Sequence, residues 1–422
     1  MTDITLNEKI PFAGKYEVAV CGGGVAGAAA ALSAARRGRK VLLIEKSVKL
    51  GGLATLGLIN WFVPMDNGRG RQIIRGMADE FLRLSTLHGF DTIPAAWKDG
   101  DAADRPDFDA ENVPRLTSRY SADIFALELT KILHDAGVTI LFDSVVRKTV
   151  MQGCVCRGVV VVNKSGDSFY EADAVIDVTG DSDVLASAGV PTVRRGNFFT
   201  YTGYAISLDS CRKAADTGRI DCACFHSGGG GATLFGKNQP EGMPLFDGAD
   251  AGDVNDYLIR NQLLFLEKLS AQDRTSRDVT SLPGMPQFRT TRRIDGAYTL
   301  CEDDAFVHFA DSVGAICDFE RRDYLYEVPY RTLYRAGYPN LLTAGRSASA
   351  DGYAWDVLRV IPPAILTGQA AGIAASLAVE NRRAVYAIDV PALQSALAET
   401  GVLISFDDAM AEEAKARLSV QS

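Results

Sequence analysis

Apolar positions dominate Tyr16-Glu17-Val18-Ala19-Val20-Cys21, which passes straight into Gly22-Gly23-Gly24-Val25-Ala26-Gly27 and then into Ala28 to Arg37, with no breaker before Gly38. A β-branched apolar run, a glycine turn and a stretch of good helix formers predict strand, tight turn and helix. Lys40-Val41-Leu42-Leu43-Ile44 predicts a second strand parallel to the first. Segments 138–142, 144–150, 157–162 and 168–171 predict short strands separated by turns at Gly153 and at Asn163-Lys164-Ser165-Gly166. A further apolar strand from Ala174 ends in Thr179-Gly180-Asp181, and Asn340 to Ala344 predicts a last one. Pro362-Pro363 suits a helix's first turn, where proline's missing N–H would be unpaired anyway, and Ala364 to Ala378 continues that helix.

Val360 to Val379 carries no charge over 20 residues and contains a GxxxG at Gly368 and Gly372, so a membrane span has to be weighed. Pro362-Pro363 interrupts the run, Ala and Gly outnumber Leu and Ile, and Asp356 and Arg359 sit just upstream. The pattern therefore predicts a tightly packed buried helix.

Composition adds exclusions. The chain has 422 residues, 47% hydrophobic and 23% charged, which fits a globular fold of two or three domains and excludes disordered and fibrous classes. With 44 Lys and Arg against 53 Asp and Glu, the net charge of −9 offers no cationic face to nucleic acid or anionic lipid. Met1 to Lys15 lacks the basic start and apolar run of a secretion signal, so a cytoplasmic location is expected. Eight cysteines are too few for a disulfide scaffold, and the Cys154/Cys156 and Cys222/Cys224 pairs lack zinc spacing; no metal is expected.

The glycine turn carries the chemistry. Gly22, Gly24 and Gly27 have GxGxxG spacing: the first permits the turn, the second lets backbone approach a pyrophosphate, and the third lets the helix pack on the strand. Glu45 ends the second strand 21 positions past Gly24, where a carboxylate hydrogen-bonds an adenosine ribose and repels a 2′-phosphate. Together they predict dinucleotide binding at the helix start.

Leu50-Gly51-Gly52-Leu53-Ala54-Thr55 begins five residues after Glu45 and resembles the GG motif of two-dinucleotide-binding-domain flavoproteins related to glutathione reductase. Two glycines there allow backbone amides to crowd a pyrophosphate and ring system. Ala174 to Asp181 resembles the return of such proteins to the FAD sheet after a β-meander, and Asn340 to Arg346 resembles their final strand. Within that superfamily the chain is most similar to FAD-dependent oxidoreductases distantly related to fumarate reductase flavoproteins, through Gly51–Asn60, Phe288–Thr299, Val328–Leu333 and Asn340–Gly372. Two departures stand out: Arg346 occupies a position where many relatives have Asp, and Arg289-Thr290 replaces an expected Arg-Glu pair.

The resemblance implies an α/β fold: a Rossmann-like FAD-binding domain with parallel sheet and β-meander (1–60, 116–190, 340–380), an inserted α+β substrate or cap domain (61–115, 191–339) and a helical tail (381–422). It implies FAD as cofactor. The implied contacts are Gly22, Gly24, Val25, Ala26, Gly27, Glu45 and Lys46 around the first turn. Gly51, Gly52, Leu53, Ala54 and Thr55 follow, with Val146 at the adenine. Thr179, Gly180, Asp181, Gly345, Arg346, Arg359, Val360 and Pro363 complete the set, Arg346 facing pyrophosphate and Arg359 with the helix start facing the pyrimidine end of the flavin. Arg292 is expected to anchor substrate or flavin, and His308 to act as general base. Gly228–Gly231 is expected to be a mobile lid or surface loop rather than a phosphate loop. No His or Cys lies between Gly51 and Trp61, which argues against a covalent flavin link. The expected function is hydride transfer between a small organic substrate and flavin, with a second acceptor unassigned. An NAD-dependent Rossmann dehydrogenase and a flavin monooxygenase are the alternatives.

Overall fold

The computed structural model describes residues 8–421. β1 (Phe12–Cys21), α1 (Val25–Arg36) and β2 (Val41–Ile44) make the opening unit. β3 (Trp61–Phe62) pairs with β4 (Ser118–Arg119) around α2 (Met77–Thr86), and α3 (Ala122–Asp135) leads into β5 (Thr139–Leu141). β6 (Val145–Gln152), β7 (Val155–Asn163) and β8 (Gly166–Asp177) form the meander, followed by α4 (Asp183–Ser187) and β9 (Thr192–Arg194). β10 (Gly203–Ser207), α5 (Leu208–Thr217), β11 (Cys224–Ser227), α6 (Ala251–Ser270) and β12 (Arg277–Ser281) come next. The chain ends with β13 (Arg292–Ile294), β14 (Ser312–Cys317), β15 (Leu325–Pro329), β16 (Leu341–Thr343), α7 (Gly352–Leu358), α8 (Ile361–Asn381), α9 (Val390–Glu399) and α10 (Asp408–Gln421).

The central sheet runs β5–β2–β1–β8–β7–β6, with β16 also on β8. β1 pairs in parallel with β2, ending at Cys21↔Ile44, and with β8, ending at Cys21↔Asp177. β16 pairs with β8 in parallel up to Thr343↔Asp177 and β5 with β2 up to Ile44↔Leu141, so five strands present their carboxyl ends at one edge, where open α/β sheets form ligand crevices. The expected strands at 168–171 and 174–178 are one strand, β8. It is held extended because β1 pairs with it from Phe169 to Asp177 while β7 pairs antiparallel with its first half.

Side chains alternate across this sheet. Val18, Val20, Val41, Leu43, Ala174 and Ile176 join the core of α1 and α8, whereas Ala19, Cys21, Leu42, Ile44 and Val175 join a second core with Val159, Val161, Val184 and Leu185. α8 is the one described helix long and apolar enough to cross a membrane, and that apolar window is wholly buried inside the protein. Its GxxxG is a packing device: a Cβ on Gly368 would lie 2.2 Å from the Ala26 carbonyl oxygen, and one on Gly372 2.2 Å from that of Ala30. Glycine at both positions lets α8 press against the Ala-rich α1 with backbone nearly in contact.

The β11–β10–β12 sheet, α5 and α6 build a second layer around Phe199, Phe246, Tyr257 and Phe288. Gly228–Gly231 belongs to this layer as a half-buried loop packed on α6. A Cβ on Gly228 would meet the Tyr201 oxygen at 2.0 Å and one on Gly229 the Asn261 oxygen at 2.4 Å, while Gly230 N–H donates to Asn261 Oδ1 at 2.8 Å. The glycines let this loop lie against α6.

Candidate functional site

The carboxyl edge of the sheet opens into a cleft of about 1370 Å³, open solvent at its mouth included. Its floor is built by two glycine turns locked together. Gly51 N–H donates to the Gly23 carbonyl at 2.7 Å, and Gly24 and Gly51 form a parallel bridge. Gly51 and Gly52 have φ of 102° and 54°, a conformation that side chains resist, and Thr55 Oγ1 closes the turn by donating to the Leu50 carbonyl at 2.5 Å. Gly24, the N-cap of α1, has φ −64°, and a Cβ there would meet nothing within 4 Å. The cap has no side-chain hydrogen bond and the first turn no acidic residue, so the helix start at Val25 and Ala26, with the positive end of its dipole, faces the cleft without a capping side chain.

One end of the cleft is walled by Ile44, Glu45, Lys46, Ser144, Val145 and Val146. Glu45 is buried; its Oε2 accepts from Gly23 N–H at 2.6 Å and its Oε1 from Ser47 N–H at 2.7 Å. The carboxylate thus ties β2 to the glycine turn and keeps lone pairs for a further donor. Thr179 and Gly180 form the adjoining wall, positioned by the fully buried Asp177, whose carboxylate accepts from Thr179 Oγ1 at 2.7 Å and Leu185 N–H at 2.8 Å. Burial lifts the Asp177 pKa to about 6, and those bonds partly offset the lift.

The other end is walled by Leu53, Leu56, Ile59, Trp61, Val63 and Met285 on one side and by Arg359, Val360, Ile361 and Ala364 on the other. Val360 caps α8 without a side-chain bond and Pro362-Pro363 follow, so the helix N-terminus opens here. Arg359 Nε donates to Asp356 Oδ1 at 2.8 Å, while its Nη groups have no hydrogen-bond partner among the described residues. Desolvation pulls its pKa down to about 10 against the opposing pull of Asp356, and Arg289 and Arg346 lower it further. Arg359 stays cationic at neutral pH.

Several expected residues support the cleft from outside its lining. Gly27 lies beneath it, where a Cβ would fall 1.9 Å from the Gly22 oxygen, and Thr55 and Pro363 are buried behind the wall. Asp181 accepts from Arg346 Nη2 at 3.0 Å, and Arg346 Nη1 donates to the Phe288 carbonyl at 2.7 Å. Arg346 therefore lines the cleft with one N–H of each Nη group already engaged and its charge paired with Asp181. Arg292 is outside the lining, donating to the Asp181 carbonyl and to Asp183 Oδ1, both at 2.7 Å.

His308 is not at the cleft. Its Nδ1 meets Glu327 at 2.6 Å and its Nε2 meets Asp408 at 2.9 Å, so it clasps β15 to the start of α10. A general-base role needs reach to substrate, which this position denies. No histidine or cysteine lines the cleft. Beside the lining residues Ile59 and Trp61 lies one polar pair that the sequence reading passed over: Tyr204 donates to Asn60 and packs against His226 with ring centroids 4.7 Å apart. Asp177, Asn60 and Met285 were legible only as an acid ending a strand, a loop amide and an isolated methionine.

A family model described as FAD dependent oxidoreductase matches residues 17–197 and 255–397. No curated protein matches the chain. Among solved structures, THI4 of Thermovibrio ammonificans is similar at 18% identity over 43% of this chain and 66% of that one, with a TM-score of 0.31. A geranylgeranyl bacteriochlorophyll reductase-like protein of Thermoplasma acidophilum aligns at 15% identity over 95% of both chains, TM-score 0.41. The Sdh1 complex of Mycobacterium smegmatis in the apo form aligns at 14% identity over 90% of this chain and 71% of that one, TM-score 0.43. By the family match the chain belongs to the FAD-dependent oxidoreductases, and its cofactor is FAD rather than NAD alone.

Proposed function

We propose that this FAD-dependent oxidoreductase holds FAD along the glycine floor and transfers a hydride between a small organic substrate and the flavin. One convergence carries the reading: the open N-terminus of α8, Arg359 with its unpaired Nη groups, and the glycine wall Gly51–Ala54 all line the same cleft. The residues fit the cofactor. Gly24 leaves open the space a Cβ would fill, and the start of α1, without a capping side chain, suits a pyrophosphate. Glu45 and Lys46, with Val145 and Val146, form a polar and apolar pair of surfaces suited to an adenosine.

FAD bound in this way supplies a two-electron acceptor that a second acceptor later reoxidises. The chain's own contribution is electrostatic and steric. Arg359 and the α8 dipole hold positive charge where reduction adds negative charge, without reorganisation at the moment of transfer. Leu53, Leu56, Val63 and Met285 keep that end of the cleft apolar, which strengthens the effect of both. Substrate would enter past Ile59 and Trp61, which line the cleft and are 38% and 41% exposed.

The test is an anaerobic screen of alcohols, amines and activated alkenes against the purified yellow protein, following flavin absorbance. Bleaching by a substrate without NAD(P)H is the expected result. Reduction only by NAD(P)H, followed by oxygen-dependent hydroxylation of a co-substrate, would establish monooxygenation instead, and a protein that takes up no FAD would end the reading.

A further inference from the structure

α6 has two apolar faces, and only one is covered. Tyr257, Asn261 and Phe265 are buried against the second layer, as one face of a surface helix should be. On the opposite face Ile259, Leu263 and Leu266 are 56%, 61% and 63% exposed, at the i, i+4, i+7 spacing that makes a continuous stripe. The spacing extends in heptad fashion to Asp256 before the stripe and Ser270 after it, giving an apolar seam with polar ends along a 20-residue helix. No other described residue lies over these three side chains closely enough to bury them.

We propose that this face pairs with the same face of a second copy, antiparallel, about a two-fold axis at Leu263. The charges beside the seam select that occupant. On a helix advancing 100° and 1.5 Å per residue, Arg260 and Glu267 fall on the same flank of the stripe, roughly 4.5 Å before and 6 Å after Leu263. A two-fold axis at Leu263 reverses the helix while keeping that flank on the same side, so Arg260 of each copy lies beside Glu267 of the other. Asp256 of each copy comes level with Ser270 of the other; within its own helix Asp256 accepts from Arg260 Nε at 2.7 Å and Ser270 Oγ donates to the Glu267 carbonyl at 2.7 Å, so Arg260 meets Glu267 of the other copy through its Nη groups. The surface is thus complementary to itself in both apolar and charged positions, as an isologous interface must be. An anionic lipid surface does not fit, because two carboxylates, Asp256 and Glu267, border the stripe of a chain whose net charge is −9.

A single helix pair buries less than the ~1,600 Å² of a standard interface, so the dimer should be concentration-dependent, with a dissociation constant on the order of micromolar. Sedimentation velocity of the full FAD-loaded chain, from low to hundreds of micromolar, should show the mass rising from 45.3 kDa toward twice that value. Leu263→Asp, at an exposed position that leaves the fold and flavin absorbance intact, should hold the protein monomeric. Arg260→Glu and Glu267→Arg should each weaken association roughly tenfold, since each sets like charges together twice, and the double reversal should restore it. A single 45.3 kDa species throughout, a dimer indifferent to Leu263→Asp, or single and double reversals that behave alike would overturn the pairing. So would flotation of the parent protein, lost in Leu263→Asp, with phosphatidylcholine vesicles. All these readouts are independent of catalytic turnover.

Discussion

Gly24→Ala separates cofactor binding from folding. Gly24 has φ −64° and ψ 177°, open to any residue, and an added Cβ meets no protein atom within 4 Å. In the FAD-free protein two small effects oppose each other. Ala is a poorer N-cap than Gly by roughly 0.5–1 kcal/mol, whereas loss of unfolded-state freedom at a compatible position stabilises by about 0.4–1 kcal/mol. The FAD-free variant should therefore melt close to the parent. With cofactor the methyl stands in the space proposed for the pyrophosphate, over the amides of Val25 and Ala26. Forcing the phosphates away from one charge-assisted hydrogen bond loses about 1.5–3 kcal/mol, or ~10- to 100-fold in affinity. Titration of the FAD-free protein, followed by quenching of flavin fluorescence, gives the affinity; thermal melting without FAD gives the fold. An affinity within twofold of the parent, or an FAD-free variant that melts far below it, would refute the placement of the phosphates.

Gly372→Ala should do the reverse: its Cβ would lie 2.2 Å from the Ala30 oxygen, prising α8 from α1 by overpacking that costs about 1–3 kcal/mol, read as a melting temperature lower by several degrees. An unchanged melting temperature would contradict the close packing. Arg359→Gln removes a cation proposed to face the flavin and leaves Asp356 paired with Arg195 at 3.2 Å, so the two-electron midpoint potential should fall by roughly 20–40 mV, equivalent to about 1–2 kcal/mol; an unchanged or higher potential removes Arg359 from that role. His308 has its pKa raised above 6.5, first by its hydrogen bond to Glu327 and further by Asp408. A raised folded-state value means the clasp is fully present below about 6.5 and lost as pH rises through the folded value. Denaturant midpoints should fall across that alkaline rise, and His308→Gln should flatten the dependence; an equal slope in both proteins would assign it elsewhere.

What the sequence determined by itself was local backbone geometry. Gly22, Gly24 and Gly27 lie within six residues; Gly22 and Gly27 answer steric demands of the turn and of the helix packing, Gly24 keeps the space above the helix start clear, and their spacing announced strand, turn and helix. Glu45 follows at the end of the next strand, Gly51-Gly52 comes six residues after it on the same connected segment, and the paired prolines mark a helix start wherever it lies. Tertiary structure decided everything that depends on partners distant in the chain. Arg346 reads as a free cation until the fold brings Asp181 to it, and His308 reads as a base until Glu327 and Asp408 close on it. Two expected strands became β8 because β1, remote in sequence, runs alongside both. The GxxxG of α8 fits a membrane dimer as well as a buried core helix, and the Ala-rich face of α1 against it is what buries it here. A local pattern fixes the conformations a segment can adopt; the charge, exposure and reach of its side chains belong to whatever the rest of the chain sets beside them.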